Sequence, residues 1–180
     1  MKFESTPISG VTIVELQVFG DDRGFFTETY QQRRFADAGI AAPFVQDNHS
    51  RSTAGVLRGL HFQIEQPQGK LIQVLRGEIY DVAVDLRRSS PTFGKWFGIR
   101  LGEAPRRLLY VPPGCAHGFY VISGPADVCY KCTDFYAPQH ERTLLWNDPE
   151  LGIDWPLTGA PVVSGKDQQG LPLSRCATYA

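Results

Sequence analysis

Three cations precede or open an otherwise apolar run. Arg58, His61 and Lys70 stand in VLRGLHFQIEQPQGK, and KLIQVLRGEIYDVAVDL follows. The run alternates as strands do, with Leu71, Gln73 and Leu75 on one side and Ile72, Val74 and Arg76 on the other. Ile79, Tyr80, Val82, Ala83 and Val84 continue it. Such residues suit a pleated sheet. A cation beside that sheet is costly to desolvate unless an anion meets it. The three therefore either reach solvent or await an anionic ligand. An imidazole titrates near neutrality, so His61 can take a proton from a substrate and hold it. A carboxylate on its other ring nitrogen would fix the tautomer. Lys70 would stabilise an oxyanion forming nearby, and a tyrosine opposite could return a proton to the other face. Such groups suit a C–H bond next to a carbonyl. Each also has a plain structural reading, as a hydrogen-bonding His, a rim Tyr or a solvated turn Lys.

Further polar residues punctuate strand-like segments. Arg23 and Glu28 flank GFFTE. Gln46, Asp47, Asn48 and His49 form a polar run. His117 follows VPPGCA, Tyr130 and Lys131 precede Tyr136, and Glu141 and Arg142 come next. Lys166 and Asp167 lie near the end. By strand parity Arg58 and His61 face apart. Gly59 between them could form a bulge that turns both to one side.

These residues must be positioned by strands. Extended signals cover 11–19, 24–30, 44–50, 56–63, 70–77, 78–86, 95–102, 106–112, 117–123 and 127–136, with Gly, Pro and Ser turns between them. QQRRFADAG (31–39) is the one convincing helix, with Phe35 and Ala38 on one face and a stop at Gly39. Many short strands and almost no helix predict an all-β jelly-roll barrel or sandwich of antiparallel strands with one or two short helices. The 180 residues suit a single domain, with an irregular wrap from about residue 151. So many strands need edge protection, and the N-terminal strand is the natural one to pair with a second subunit.

Composition narrows the function. Hydrophobic residues make up 42%, charged residues 21%, and the net charge is −1. There is no basic excess to favour nucleic acid. No run is long enough to cross a membrane, and MKFESTPISG lacks an apolar signal core, so the cytoplasm is expected. Cys129 and Cys132 spell CYKC, but residues three apart on a strand point to opposite faces. They read as reduced packing cysteines. PPGCAH resembles the second motif of cupin barrels, whose metal-binding members add an HxH pair and a Glu. GLHFQ supplies one His only, so no metal is expected.

GDDRGFFTETY, FVQDNHS, VLRGLHFQ, QGKLIQVLRGEIYDVAVDLRRSSPTFGKW, VPPGCAHGF, YKCTDFYAP, LLWNDPELGIDWP and SGKD occur in order from about Val11 to Asp167. Together they resemble the dTDP-4-dehydrorhamnose 3,5-epimerases, dTDP-sugar epimerases of the cupin superfamily. The resemblance implies a cofactor-free epimerase that converts dTDP-4-dehydro-6-deoxy-D-glucose (dTDP-4-keto-6-deoxyglucose) to dTDP-4-dehydro-L-rhamnose. It implies His61 as general base, Asp167 as its supporting carboxylate, Tyr130 as proton donor and Lys70 beside the ketone. It places Arg23, Glu28, Gln46, Asp47, Asn48, Arg58, His117, Glu141 and Lys166 around the nucleotide, diphosphate or sugar, with Tyr136 stacked on the thymine. It further implies a homodimer that exchanges N-terminal strands, so that Arg23 and Glu28 act across it. Relatives acting at a single carbon keep most of these residues. A non-catalytic sugar-binding cupin would not need the base and opposed acid, and a metal-dependent cupin would need the HxH.

Overall fold

The computed structural model describes residues 1–180. Its strands and helices are β1 (Lys2–Ser5), β2 (Thr12–Glu15), β3 (Val18–Asp21), β4 (Gly24–Thr27), α1 (Gln32–Asp37), β5 (Gln46–Ser52) and β6 (Val56–Gln63). They continue with β7 (Lys70–Asp85), β8 (Trp96–Gly102), β9 (Arg107–Val111), β10 (Cys115–Cys132), β11 (Glu141–Thr143), β12 (Val162–Val163) and α2 (Gly165–Gln168). Antiparallel pairing dominates. One ten-stranded sheet runs β1-β2-β9-β7-β10-β6-β11, with β5 on β10, β8 on β7 and β12 parallel to β6, while β3 and β4 form a separate ribbon.

Two long strands close this sheet into a barrel. β7 has 16 residues and β10 has 18. The first part of β7 pairs with β9 and the second with β8. Likewise β10 pairs with β6 early and with β5 late. The sequence predicts a break where each instead bends. Gly77 turns β7 with φ +77°, and a Cβ there would lie 2.8 Å from Ser123 O. Only glycine tolerates both the conformation and the approach. The matching register shifts in β10 fall between Val121 and Val128. Other expectations shift as well. The extended run 11–19 divides into β2 and β3, and the strand expected to reach Tyr136 ends at Cys132.

Side-chain alternation builds two apolar layers. Ile79, Ala83, Phe119 and Val121 pack inside the barrel with Ile72, Val74 and Leu109. Val82 and Val84 point the other way, onto Leu57, Leu60, Phe62, Leu151, Trp155 and Leu173. The second half of β7 is buried on both faces, and Ile79–Val84 is accordingly apolar except for Asp81. The wrap after residue 151 therefore covers the outside of one sheet layer. It also carries β12 and α2. Helix α1 lies elsewhere, sealing Val14, Leu71 and Leu108 with Phe35. All four cysteines are free. No helix is long and apolar enough to cross a membrane.

Candidate active site

Strand β6 bulges where Gly59 stands. Gly59 has φ +110°, and a Cβ on it would meet Gly118 Cα at 2.7 Å. The register of β6 on β10 shifts at this point, between His117 and Phe119. Arg58 and His61, of opposite parity, consequently line one cavity of about 350 Å³. That cavity is also lined by Gln46, Asn48, Ser50, Gln63, Lys70, His117, Tyr130, Tyr136 and Glu141.

His61 is a direct cross-strand partner of His117. Its Nε2 lies 2.5 Å from Asp167 Oδ1, from a residue 106 positions away. Asp167 is buried on α2, which Ser164 caps by accepting the Asp167 N–H. Its second oxygen accepts the Gly59 N–H at 3.3 Å. Burial works to raise its pKa, but the His61 bond and charge and the Gly59 N–H outweigh that, so it is lowered. A carboxylate so placed accepts a hydrogen bond from Nε2–H, which favours the tautomer with an unprotonated Nδ1. His117 repeats the pattern, with Nε2 at 2.9 Å from Asp81 on β7, and both side chains are buried.

Lys70 is recessed, and its Nζ donates only to His61 O at 3.5 Å. Desolvation pulls its pKa below the ordinary lysine value, although Cys132, Glu141 and Asp81 act to raise it. Tyr130 comes from the late half of β10, cross-strand from Asn48 and Ile72. Burial above all raises its pKa, so its hydroxyl keeps its proton at neutral pH. Arg58 uses its Nε on Ser52 Oγ at 2.9 Å and is otherwise exposed to the cavity. At the rim Tyr136 Oη donates to Glu141 Oε2 at 2.7 Å, and Lys166 Nζ pairs with the same oxygen at 2.5 Å.

Three expected site residues lie elsewhere in this chain. Asp47 sits between Gln46 and Asn48 and so faces the other side of β5, where Lys131 Nζ binds it at 3.0 Å. Arg23 pairs with its neighbour Asp21, and Glu28 with Arg34 at 3.1 Å, all exposed and outside the cavity. Conversely, Asp81, Ser50, Gln63 and Gln68 escaped the sequence reading. Asp81 carried a usable signal, since EIYDVAVD places it at the parity of the core residues Ile79 and Ala83. Ser50 Oγ is buried with no hydrogen-bond partner, an unmet donor and acceptor at the cavity wall. No three His, Cys, Asp or Glu side chains converge as a set of metal ligands.

A cupin-like barrel whose cavity joins a part-exposed imidazole paired with a buried carboxylate, a recessed lysine and a protonated tyrosine has the groups of an acid–base isomerase. The model of the family described as dTDP-4-dehydrorhamnose 3,5-epimerase matches residues 5–175, and the chain belongs to that family. It is 59% identical over 171 residues to the dTDP-4-dehydrorhamnose 3,5-epimerase of Pseudomonas aeruginosa, covering 94% of each chain. It superposes with TM-score 0.95 on the crystal structure of a dTDP-6-deoxy-D-glucose-3,5-epimerase from Legionella pneumophila in complex with dTDP-4-keto-L-rhamnose. That pair is 48% identical, covering 98% of this chain and 94% of that one. A dTDP-4-dehydrorhamnose 3-epimerase of Streptomyces niveus is 42% identical, covering 97% of this chain and 84% of the relative.

Proposed function

We propose that residues 1–180 act as one catalytic unit that epimerises dTDP-4-dehydro-6-deoxy-D-glucose at C3 and C5, giving dTDP-4-dehydro-L-rhamnose. The observation that carries this reading is the His61–Asp167 pair, with His61 lining a cavity shared with Lys70 and Tyr130. His61 Nδ1 takes the proton from a carbon next to the C4 ketone. The C–H electron pair becomes the enolate double bond, and the negative charge moves to the C4 oxygen, where the Lys70 ammonium stabilises it. The Tyr130 O–H then protonates the carbon from the other face, which inverts the centre. Solvent returns a proton to tyrosinate and removes one from imidazolium. The same groups act at the second carbon after the ring shifts. No cofactor takes part.

Arg58 and Lys166 meet the diphosphate, the guanidinium through its planar fork. Tyr136 stacks on the thymine, with Gln46 and Asn48 beside it, and His117 and Glu141 line the sugar end. Arg23 and Glu28 belong to the same site in a homodimer that exchanges N-terminal strands. The ribbon that carries Arg23 supports this, because it holds Val18, Phe19, Phe25 and Phe26 exposed in the single chain. The cytoplasm is the compartment we assign.

A second reading, inversion at one carbon only, draws on the Streptomyces niveus relative. Incubation of dTDP-4-keto-6-deoxyglucose with the protein in deuterium oxide, followed by NMR and mass analysis, separates the two. Deuterium at both C3 and C5 is expected. Deuterium at one carbon selects the second reading, and none at either removes both.

A further inference from the structure

Tyr136 sits in a stretch, Thr133–Ala137, that has neither helix nor strand, yet each of its five residues is tied down. Thr133 exchanges two bonds with Gly69, donating its N–H to Gly69 O at 2.9 Å and accepting the Gly69 N–H on Oγ1 at 2.7 Å. Gln68 Nε2 donates to Asp134 O at 2.8 Å. Gln63 Nε2 donates to Phe135 O at 3.2 Å. Tyr136 N donates to Gln46 Oε1 at 2.8 Å, and Ala137 N to Gln63 Oε1 at 2.8 Å. Three glutamine amides thus do what a neighbouring strand would otherwise do for this backbone.

Gln63 is the centre of that arrangement. It is 4% exposed, on the strand of His61 and at the same parity. Its Nε2 also donates to Gln66 O at 2.8 Å, so both amide hydrogens and the oxygen are used within the protein. It lines the cavity but has no hydrogen left for a ligand. Tyr136, in contrast, is 52% exposed, and packing alone does not orient a ring that open. The Tyr136 hydroxyl has Glu141 as partner, so the rest of its pose comes from the backbone on either side.

We infer that Gln63 is a positioning residue for nucleotide binding: by holding Phe135 and Ala137 it fixes Tyr136 in the pose that receives the base. The inference rests on the proposed stacking role of Tyr136. A loop ordered before binding loses less entropy when the ligand arrives. Removing the amide restores that loss to the binding step and leaves His61, Lys70 and Tyr130 with their contacts. Gln63 therefore acts on affinity rather than on turnover.

The test measures dTDP binding by calorimetry, and KM and kcat for the nucleotide sugar, in Gln63→Met, Tyr136→Ala and the double variant. Gln63→Met should weaken dTDP and raise KM by about tenfold, as the loss of a few modest hydrogen bonds would, while kcat stays within about threefold. In the Tyr136→Ala background the same change should have no further effect on dTDP binding. Additive losses, or a fall in kcat with dTDP binding intact, overturn the inference. A Tyr136→Ala protein that binds dTDP normally would instead strike the stacking role itself, and this inference with it. Should Gln63→Met fail to fold, Gln63→Glu keeps the acceptor for Ala137 and loses the donors, and carries the same expectation.

Discussion

His61 and His117 face each other across β6 and β10, and each gives its Nε2 to a buried carboxylate, Asp167 at 2.5 Å and Asp81 at 2.9 Å. The two pairs differ in depth. The His61 side chain is 28% exposed and that of His117 is 7%. A base must reach the proton that it removes. Exposure therefore favours His61 over His117 as the proposed base, with His117 a buried part of the cavity wall.

Asp167→Asn tests how much the carboxylate contributes beyond holding the ring. An amide keeps the shape but no longer selects the tautomer with Nδ1 free. We expect kcat to fall by up to about 10⁴-fold with KM within a few-fold, the size of loss that follows when the carboxylate of such a pair is made neutral. Steady-state rates check it, and a loss below tenfold would remove Asp167 from its role.

Tyr130→Phe separates the two proton transfers. His61 and Lys70 are untouched, so solvent deuterium should still enter a carbon next to the ketone. Inverted product should fall by about 10²-fold or more, because the donor on the other face is gone. NMR of the product in deuterium oxide reports both. Normal inversion in this variant would assign the proton to another group.

The alkaline limb of the rate should belong to Lys70. Desolvation lowers its pKa and burial raises that of Tyr130, and both shifts favour Lys70 as the group that loses its proton first on raising the pH. Arginine stays protonated throughout. Lys70→Arg should therefore lower kcat and move the limb upward. A pH–rate profile with an unmoved limb would assign it to a different group.

Arg23 provides the test for a shared site. Arg23→Ala and His61→Ala should each be nearly inactive alone. Mixed and allowed to exchange subunits, they should regain activity, because one site of each mixed dimer would hold His61 from one chain and Arg23 from the other. A mixture no more active than its parents refutes the exchange.

Asp85 predicts the acid limit of stability. Its carboxylate, buried at the end of β7, accepts from Arg87 Nε and Nη2 and from the Ser90 and Thr92 hydroxyls. Burial works to raise its pKa, but these bonds prevail and hold it down to about 2. A depressed carboxyl stabilises the fold above its ordinary pKa and loses that contribution as pH falls through the folded value. The contribution at neutral pH is about 2 kcal/mol. Urea unfolding should show it lost between pH 4 and pH 2. In Asp85→Asn that part of the acid dependence should vanish, along with about 3 kcal/mol of stability from the broken Arg87 pair.

Much of the site was legible because its signals are local. GLHFQ with a single His, a glycine beside it and a turn delivering His117 are all short-range facts. Gly59 does bring Arg58 and His61 to one cavity, as a bulge would. The shared motif misled at Asp47, which stands between Gln46 and Asn48 in sequence and so takes the opposite side of the strand. Gln63 looked like the end of a strand, since nothing within its own segment reveals the loop that it holds.

Residue order alone was enough for the alternating strands, the lone imidazole and the family likeness, because alternation and motif are properties of a few neighbouring residues. Folding had to decide the rest. It joined His61 to Asp167 across 106 positions and sank Asp81 behind His117. It also bent β7 and β10 instead of breaking them. Those outcomes depend on which distant strands pair and in what register, and pairing fixes which of a strand's two faces becomes the wall of a cavity.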